Sequence, residues 1–148
     1  MKLSGEELLP CTPERAWELL TDARTLQACI PGCESVEETE PGHYTAAVVL
    51  KIGPIKARFT GEVKLTEIDS SGACRLTGKG SGGVAGFAEG GADLRLSEAE
   101  GGTLLTYEVD SNVGGKIAQL GARLIDSTAQ KLAKQFFTNF SAFIQAQA

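Results

Sequence analysis

The chain has 148 residues, with 14 Lys and Arg against 19 Asp and Glu, one His and a formal net charge of −5. At that length one compact domain over residues 1–148 is expected, large enough to hold a core without disulfides or a structural metal. The acidic balance excludes a nucleic-acid binder, which needs a basic face to neutralise phosphates, and no apolar run reaches the roughly 18 residues of a membrane span.

Glu6 and Glu7 exclude a signal peptide at the N-terminus. A cytoplasmic protein with Cys11, Cys29, Cys33 and Cys74 reduced is the expectation. Lys2 to Leu9 reads as a first strand. Thr12-Pro13 opens a helix, because Thr12 can cap the free amides and Pro13 loses no hydrogen bond at the first helical position. Asp22 starts a second short helix carrying Leu26 and Ile30, which Pro31-Gly32 ends.

After Gly32 the period changes to two. Ser35 to Thr39 is a short strand, followed by a Pro41-Gly42 turn. Tyr44, Ala46, Val48, Leu50 and Ile52 alternate with Thr45, Ala47, Val49 and Lys51. Beyond Gly53-Pro54, Ile55, Ala57, Phe59, Gly61, Val63 and Leu65 alternate with Lys56, Arg58, Thr60, Glu62, Lys64 and Thr66. One face is apolar and the other charged, the mark of an antiparallel strand with one wet side. Ser70-Ser71-Gly72 turns the chain into a strand over Cys74 to Gly80. A corner at Ser81-Gly82-Gly83 leads to a strand from Val84 to Leu96, and Gly101-Gly102 to one from Leu105 to Val113.

From Lys116 to about Gln145 there is no Pro, and Ile117, Leu124, Thr128 and Leu132 recur at helical spacing. Hairpin-linked strands cannot hide their apolar face alone, so this helix must cover it. The fold class is therefore α+β: a curved antiparallel sheet of about seven strands wrapped on a long C-terminal helix, with two short helices after the first strand.

The inner face of the strands on either side of Gly82 carries Gly78, Gly80, Gly86, Ala88, Gly90 and Ala92. A filled core would prefer Val, Ile, Leu or Phe there. Small residues under a helix leave space for an apolar cavity; alternatively the helix packs closer, or glycines mark bends in the sheet. By the same parity no carboxylate, Lys, Arg or His points inward from the four long strands. Tyr107 and Ser111 are the polar exceptions, with Cys74 a weak donor. General acid–base chemistry wants a titrating group in the pocket, so binding is favoured over catalysis.

Other motifs carry less. Cys29 and Cys33 are spaced C-x₃-C, with only His43 as an imidazole, so neither a zinc site nor a C-x-x-C redox pair is evident. Gly78-Lys79-Gly80-Ser81-Gly82-Gly83 fits G-x-G-x-x-G formally, but a strand follows it where a phosphate site needs a helix. Phe136, Phe137, Phe140, Phe143 and Ile144 spread over more than one helical face. They are either ordinary core or an exposed patch for a partner.

Several stretches resemble the carbon monoxide dehydrogenase G-subunit-like family of the START-like, helix-grip superfamily. They are Thr12-Pro13-Glu14-Arg15-Ala16-Trp17, Ile30-Pro31-Gly32-Cys33-Glu34, Ile52-Gly53-Pro54-Ile55, the Gly82–Ala88 region, and Asn112-Val113-Gly114-Gly115-Lys116-Ile117-Ala118-Gln119-Leu120-Gly121. The resemblance implies a hydrophobic ligand cavity, binding of quinones, and association with a molybdenum hydroxylase of the carbon monoxide dehydrogenase type. It further implies recruitment to the inner face of the membrane. Some members carry a C-terminal extension as a tether; here the sequence ends at Ala148, so a shuttle or docking role is expected instead of direct anchoring.

The expected function is that of a non-catalytic binding protein with no intrinsic cofactor and a bound quinone or similar lipophile. Its expected lining is Leu26 and Ile30 from the second helix, and Val48, Leu50, Phe59, Leu76, Ala88, Gly90, Tyr107, Val109 and Ser111 from the sheet. Ile117, Leu120 and Leu124 complete it from the long helix. A cyclase- or hydrolase-like enzyme on an apolar substrate and a ligand-free docking protein are the alternatives.

Overall fold

The computed structural model describes residues 1–69 and 71–147; Ser70 of the turn expected before β5, and Ala148, lie outside them. The chain runs β1 (Lys2–Leu9), α1 (Pro13–Leu20), α2 (Ala23–Cys29), β2 (Cys33–Glu40), β3 (His43–Ile52), β4 (Ile55–Thr66), β5 (Ala73–Ser81), β6 (Phe87–Ala99), β7 (Gly102–Gly114) and α3 (Ala122–Gln147). All seven strands form one antiparallel sheet in the order β1-β7-β6-β5-β4-β3-β2.

The short helices start as their sequence dictates. The Thr12 hydroxyl accepts a hydrogen bond from the Arg15 amide at 3.2 Å, and the Asp22 carboxylate accepts one from the Arg24 amide at 3.0 Å. Between them, the Tyr44 hydroxyl donates to the Thr21 carbonyl at 2.7 Å, which ties this joint to the sheet. Tyr44 is buried. Burial first, then the Glu38 carboxylate and Asp22, push its phenol up to about 12.

Two boundaries differ from the sequence pattern. Helical spacing from Lys116 predicts one continuous helix, but Lys116–Leu120 is a 3-10 turn and α3 begins at Ala122. The break falls at Gly121, which sits at φ +97° in the left-handed region. Likewise β6 starts at Phe87, because Gly83–Ala85 forms a 3-10 turn that leaves Val84 85% exposed instead of in a strand.

The solid core occupies one end of the molecule. Phe140 and Ile144 on the last turns of α3 pack with Leu9, Ala16, Leu19, Cys29, Leu96 and Leu105. Phe136 stacks on Phe140 at 5.7 Å and meets Phe137 edge-on at 5.1 Å; Phe137 stacks on Tyr107 of β7 at 5.5 Å. The Asn139 amide donates to the Cys29 carbonyl at 3.0 Å, holding α3 against the end of α2. The phenylalanine-rich stretch is thus packed as core, with Phe137 and Phe143 at its margin.

Removing Phe140 empties the centre of this cluster. Phe140→Ala is expected to cost about 3–5 kcal/mol, read as a lower urea midpoint at unchanged slope. A second expectation concerns alkali. The native Tyr44 phenol holds its proton to higher pH than an unfolded tyrosine, so the unfolded state binds fewer protons above the ordinary tyrosine value near 10. Stability contributed by Tyr44 is therefore complete below pH 10 and falls as pH rises towards about 12. Ultraviolet titration and melting curves at alkaline pH check this, and Tyr44→Phe should remove that decline.

Candidate ligand-binding cavity

Register places the small inward residues side by side. Ala46 of β3 pairs with Gly61 of β4, Gly61 with Gly80 of β5, and Gly80 with Ala88 of β6. The next row reads Val63, Gly78, Gly90 and Ser111 across β4 to β7. Two adjacent rows of nearly bare backbone thus cross the middle of the sheet. Meanwhile α3 makes its main close approaches to β1, α2 and β3, so its first half bridges those rows without filling them.

The result is an open cavity of about 580 Å³, a volume typical of small-molecule sites. Val48, Leu50, Phe59, Leu76, Ala92 and Val109 wall it on the sheet side, Ile30 and Pro31 at the end of α2, and Leu132, Ala133 and Phe136 on α3. Among the residues that line the cavity, Ser111 brings the one hydroxyl at an inward strand position. The backbone of Glu62, Lys79 and Glu89 also borders the space, but strand parity turns those side chains to the opposite face. There the Lys79 ammonium and Glu62 carboxylate pair with each other at 3.3 Å. A larger depression, about 740 Å³, lies on that outer face among Glu37, Arg58, Glu62, Lys79 and Glu89. Its mixed charge makes it a solvated trough, whereas the inner cavity is hydrocarbon.

Of the expected lining, Ile30, Val48, Leu50, Phe59, Leu76, Ala88, Gly90, Val109 and Ser111 are brought together around the cavity. Five residues are placed elsewhere. The Tyr107 ring lies across Gly5 of β1 and stacks on Phe137, which directs it into the solid end. Burial, then the Glu7 charge, raise its phenol above the ordinary value. Ile117 is buried in the 3-10 turn against Gly86, and Leu120 and Leu124 pack on the Gly53 turn. The Gly121 break takes Ile117 and Leu120 out of the stripe that regular helical spacing assigns them, while Leu124 stays on α3 and faces the Gly53 turn. Leu26 stays outside because α2 buries Thr25 and Cys29. Sequence reasoning missed Ala46 and Gly61, whose inward parity was legible but whose alignment with Gly80 depends on register. It also missed Leu132, Ala133 and Phe136, because the wall is the middle of α3.

The glycines divide into two kinds. A Cβ built at Gly90 would collide with the Asp110 carbonyl oxygen, and one at Gly61 would meet the Lys79 carbonyl at 2.5 Å. These two serve close backbone approach in a sharply bent sheet. A Cβ at Gly80 would lie 3.6 Å from the Thr60 oxygen, an ordinary contact. At Gly80, then, the absent side chain is cavity space.

No cluster of three or more His, Cys, Asp or Glu among the described residues is placed to hold a metal. All four cysteines are free thiols, and burial raises each above its ordinary value, which keeps them protonated and poorly nucleophilic.

The family model for the carbon monoxide dehydrogenase G subunit (CoxG) matches residues 5–145. The chain belongs to the CoxG family. A conserved protein from Geobacillus kaustophilus superposes on this CoxG-family chain with a TM-score of 0.90 at 29% identity, covering 99% of this chain and 96% of its own. A START superfamily protein from Mycobacterium smegmatis gives 0.77 at 10% identity over 99% of each chain. TTHA0849 from Thermus thermophilus gives 0.73 at 18% identity, over 100% of this chain and 99% of that one. The fold of this CoxG-family member is thus START-like, as its motifs implied. No match to a curated protein sequence is found.

The two kinds of glycine predict opposite stabilities. Gly80→Ala should stabilise by roughly 0.4–1 kcal/mol by restricting the unfolded chain, whereas Gly90→Ala should destabilise by about 1–3 kcal/mol through backbone overlap. Urea unfolding of the pair distinguishes them.

Proposed function

We propose that the cavity binds a neutral lipophilic molecule, a quinone or a compound like it. The protein then serves without catalysis as an accessory to a molybdenum hydroxylase of the carbon monoxide dehydrogenase type. The observation that carries this reading is the wall: hydrocarbon from Val48, Leu50, Phe59, Leu76, Val109 and Leu132, with Ser111 the lone inward hydroxyl. A charged ligand would lose its hydration there and gain no partner. A quinone ring loses little, and the Ser111 hydroxyl can donate to one carbonyl. An isoprenoid tail would supply most of the affinity, at about 25 cal/mol per Å² of apolar surface before the costs of association.

The same wall suits a carrier. A quinone that takes two electrons and two protons becomes a quinol, and both forms are neutral. A cavity without fixed charge can hold either, so loading and unloading need no titrating group. Membership of the CoxG family supports a hydroxylase as the electron source. With no acid or base facing the cavity from these strands, general acid–base turnover lacks its machinery.

The test is binding of a short-tailed ubiquinone analogue to the purified protein, by equilibrium dialysis and thermal shift. Trp17 packs against the solid end, so its fluorescence is a poor reporter. At a ligand concentration about a hundred times Kd the melting temperature should rise by roughly 5–10 °C. Ala88→Phe, which fills the middle of the cavity, should abolish the shift while the protein still melts cooperatively. An unshifted wild-type melt with no dialysis uptake, or full uptake by folded Ala88→Phe, rejects the reading.

A further inference from the structure

The sheet ends in two edge strands, β2 and β1, and the two are built differently. β2 breaks its register between Cys33 and Ser35 and again between Glu38 and Glu40. It also carries Glu34, Glu37, Glu38 and Glu40, with no Lys or Arg in Cys33–Glu40. Irregularity and like charge both keep a second strand off such an edge. β1 has neither defence. Its register with β7 is unbroken from Lys2 to Leu9, it contains no Pro, and its charges are of both signs, Lys2 against Glu6 and Glu7.

The phase of the β1–β7 ladder fixes which groups β1 leaves free. The Met1 nitrogen donates to the Ser111 carbonyl at 2.7 Å, and the Ser111 amide donates to the Met1 carbonyl at 2.9 Å. Antiparallel ladders alternate such mutually bonded pairs with unbonded ones. Leu3, Gly5 and Glu7 therefore bond β7, and Lys2, Ser4, Glu6 and Leu8 turn their amides and carbonyls outwards. Those four residues are exposed, and among the described residues no turn, loop or cap bonds to their backbone. A second β1 laid antiparallel must set outward residue against outward residue. Of the registers that do so, only Ser4 opposite Ser4 places Lys2 of each copy directly across from Glu6 of the other. The neighbouring registers set Lys2 against Ser4 or Leu8. Neither Lys2 nor Glu6 belongs to an ion pair among the described residues.

We propose that the occupant of this edge is a second copy of the chain, paired through β1 about a two-fold axis between the two Ser4 residues. The axis runs perpendicular to the sheet and joins two seven-stranded sheets into one continuous sheet. About six backbone hydrogen bonds close the seam, exchanged by Lys2, Ser4 and Glu6 of each copy. Two ion pairs, Lys2 with Glu6, flank them on the outer face. On the inner face Leu3 of each copy stands across from Gly5 of the other, where the Tyr107 ring lies over the bare backbone, so apolar surface meets apolar surface. Both α3 helices then lie on the same side of the joined sheet. The dimer does not rest on the cavity reading.

The experiment is sedimentation equilibrium of the purified protein over a range of concentrations, at low and high salt. The expected result is a rise with concentration to twice the mass of one chain, weakened by salt. Lys2→Glu and Glu6→Lys should each weaken self-association about tenfold or more, because like charges then face each other at both ends of the seam. An equimolar mixture of the two variants should regain the dimer, since every facing pair is again of opposite sign. Ser4→Pro deletes an outward amide without touching the ladder to β7, and should leave single chains. Melting curves establish that each variant is folded; should Ser4→Pro not fold, the mixture carries the test. A wild type that keeps the mass of one chain throughout overturns the proposal, and would leave a strand of a different protein as the occupant of this edge. A mixture of folded variants that stays dissociated also overturns it, as does a dimer that survives in folded Ser4→Pro.

Discussion

The anchoring of α3 through Phe140 and Ile144 decides where this molecule is solid and where it is hollow. A helix of 26 residues is a rod about 39 Å long, and a strongly bent sheet cannot touch a rod along its whole length. Contact is made at the last turns, where Leu9, Leu96 and Leu105 supply large side chains. Towards its start the same helix passes over Gly61, Gly78, Gly80 and Ala88, which cannot reach it. Phe136 stands at the boundary, one of its neighbours being Phe140 of the core and its remaining surface lining the cavity. A folded protein ordinarily fills such a space to the density of an organic crystal. Here the stability lost by leaving it open is offset at the phenylalanine-rich end, and a ligand could restore packing that the chain itself does not provide.

Bending and vacancy come from the same residues, and their separation is a matter of neighbouring atoms. Gly61 and Gly90 allow one strand's backbone to crowd its neighbour's. That crowding turns the sheet about the helix. Gly80, in the same row as Gly61, has room for a Cβ and simply leaves it out. Reading all three as space would misjudge Gly61 and Gly90, and reading all three as bends would misjudge Gly80.

Much of this architecture was legible in the chain. The alternation in β4 from Ile55 to Thr66 gives both the strand and its inward face, and Thr12-Pro13 gives the start of α1, because each signal is local. What escaped was set by register or by a single dihedral. The alignment of Ala46, Gly61, Gly80 and Ala88 exists only once three hairpins have fixed their pairings. Gly121 carries no mark distinguishing a helix break from a tolerated helical glycine, yet its positive φ takes Ile117 and Leu120 away from the cavity wall, which Leu132 and Phe136 of α3 supply. Tyr107 shows the complementary error. Parity points it inward correctly, but Gly5 on the adjacent strand opens a berth across β1, and stacking on Phe137 keeps the ring there.

Charge is distributed along the molecule with the same economy as volume. The inward strand positions that wall the cavity carry no charged side chain, and the outer face bears pairs such as Arg75 with Asp93 and Arg58 with Glu34. Exposed pairs contribute little to stability, so these pairs are not what holds the sheet. What the charge pattern does fix is the cavity: its inward wall positions offer no counter-ion to a charged guest, whereas a neutral apolar one loses little hydration on entering.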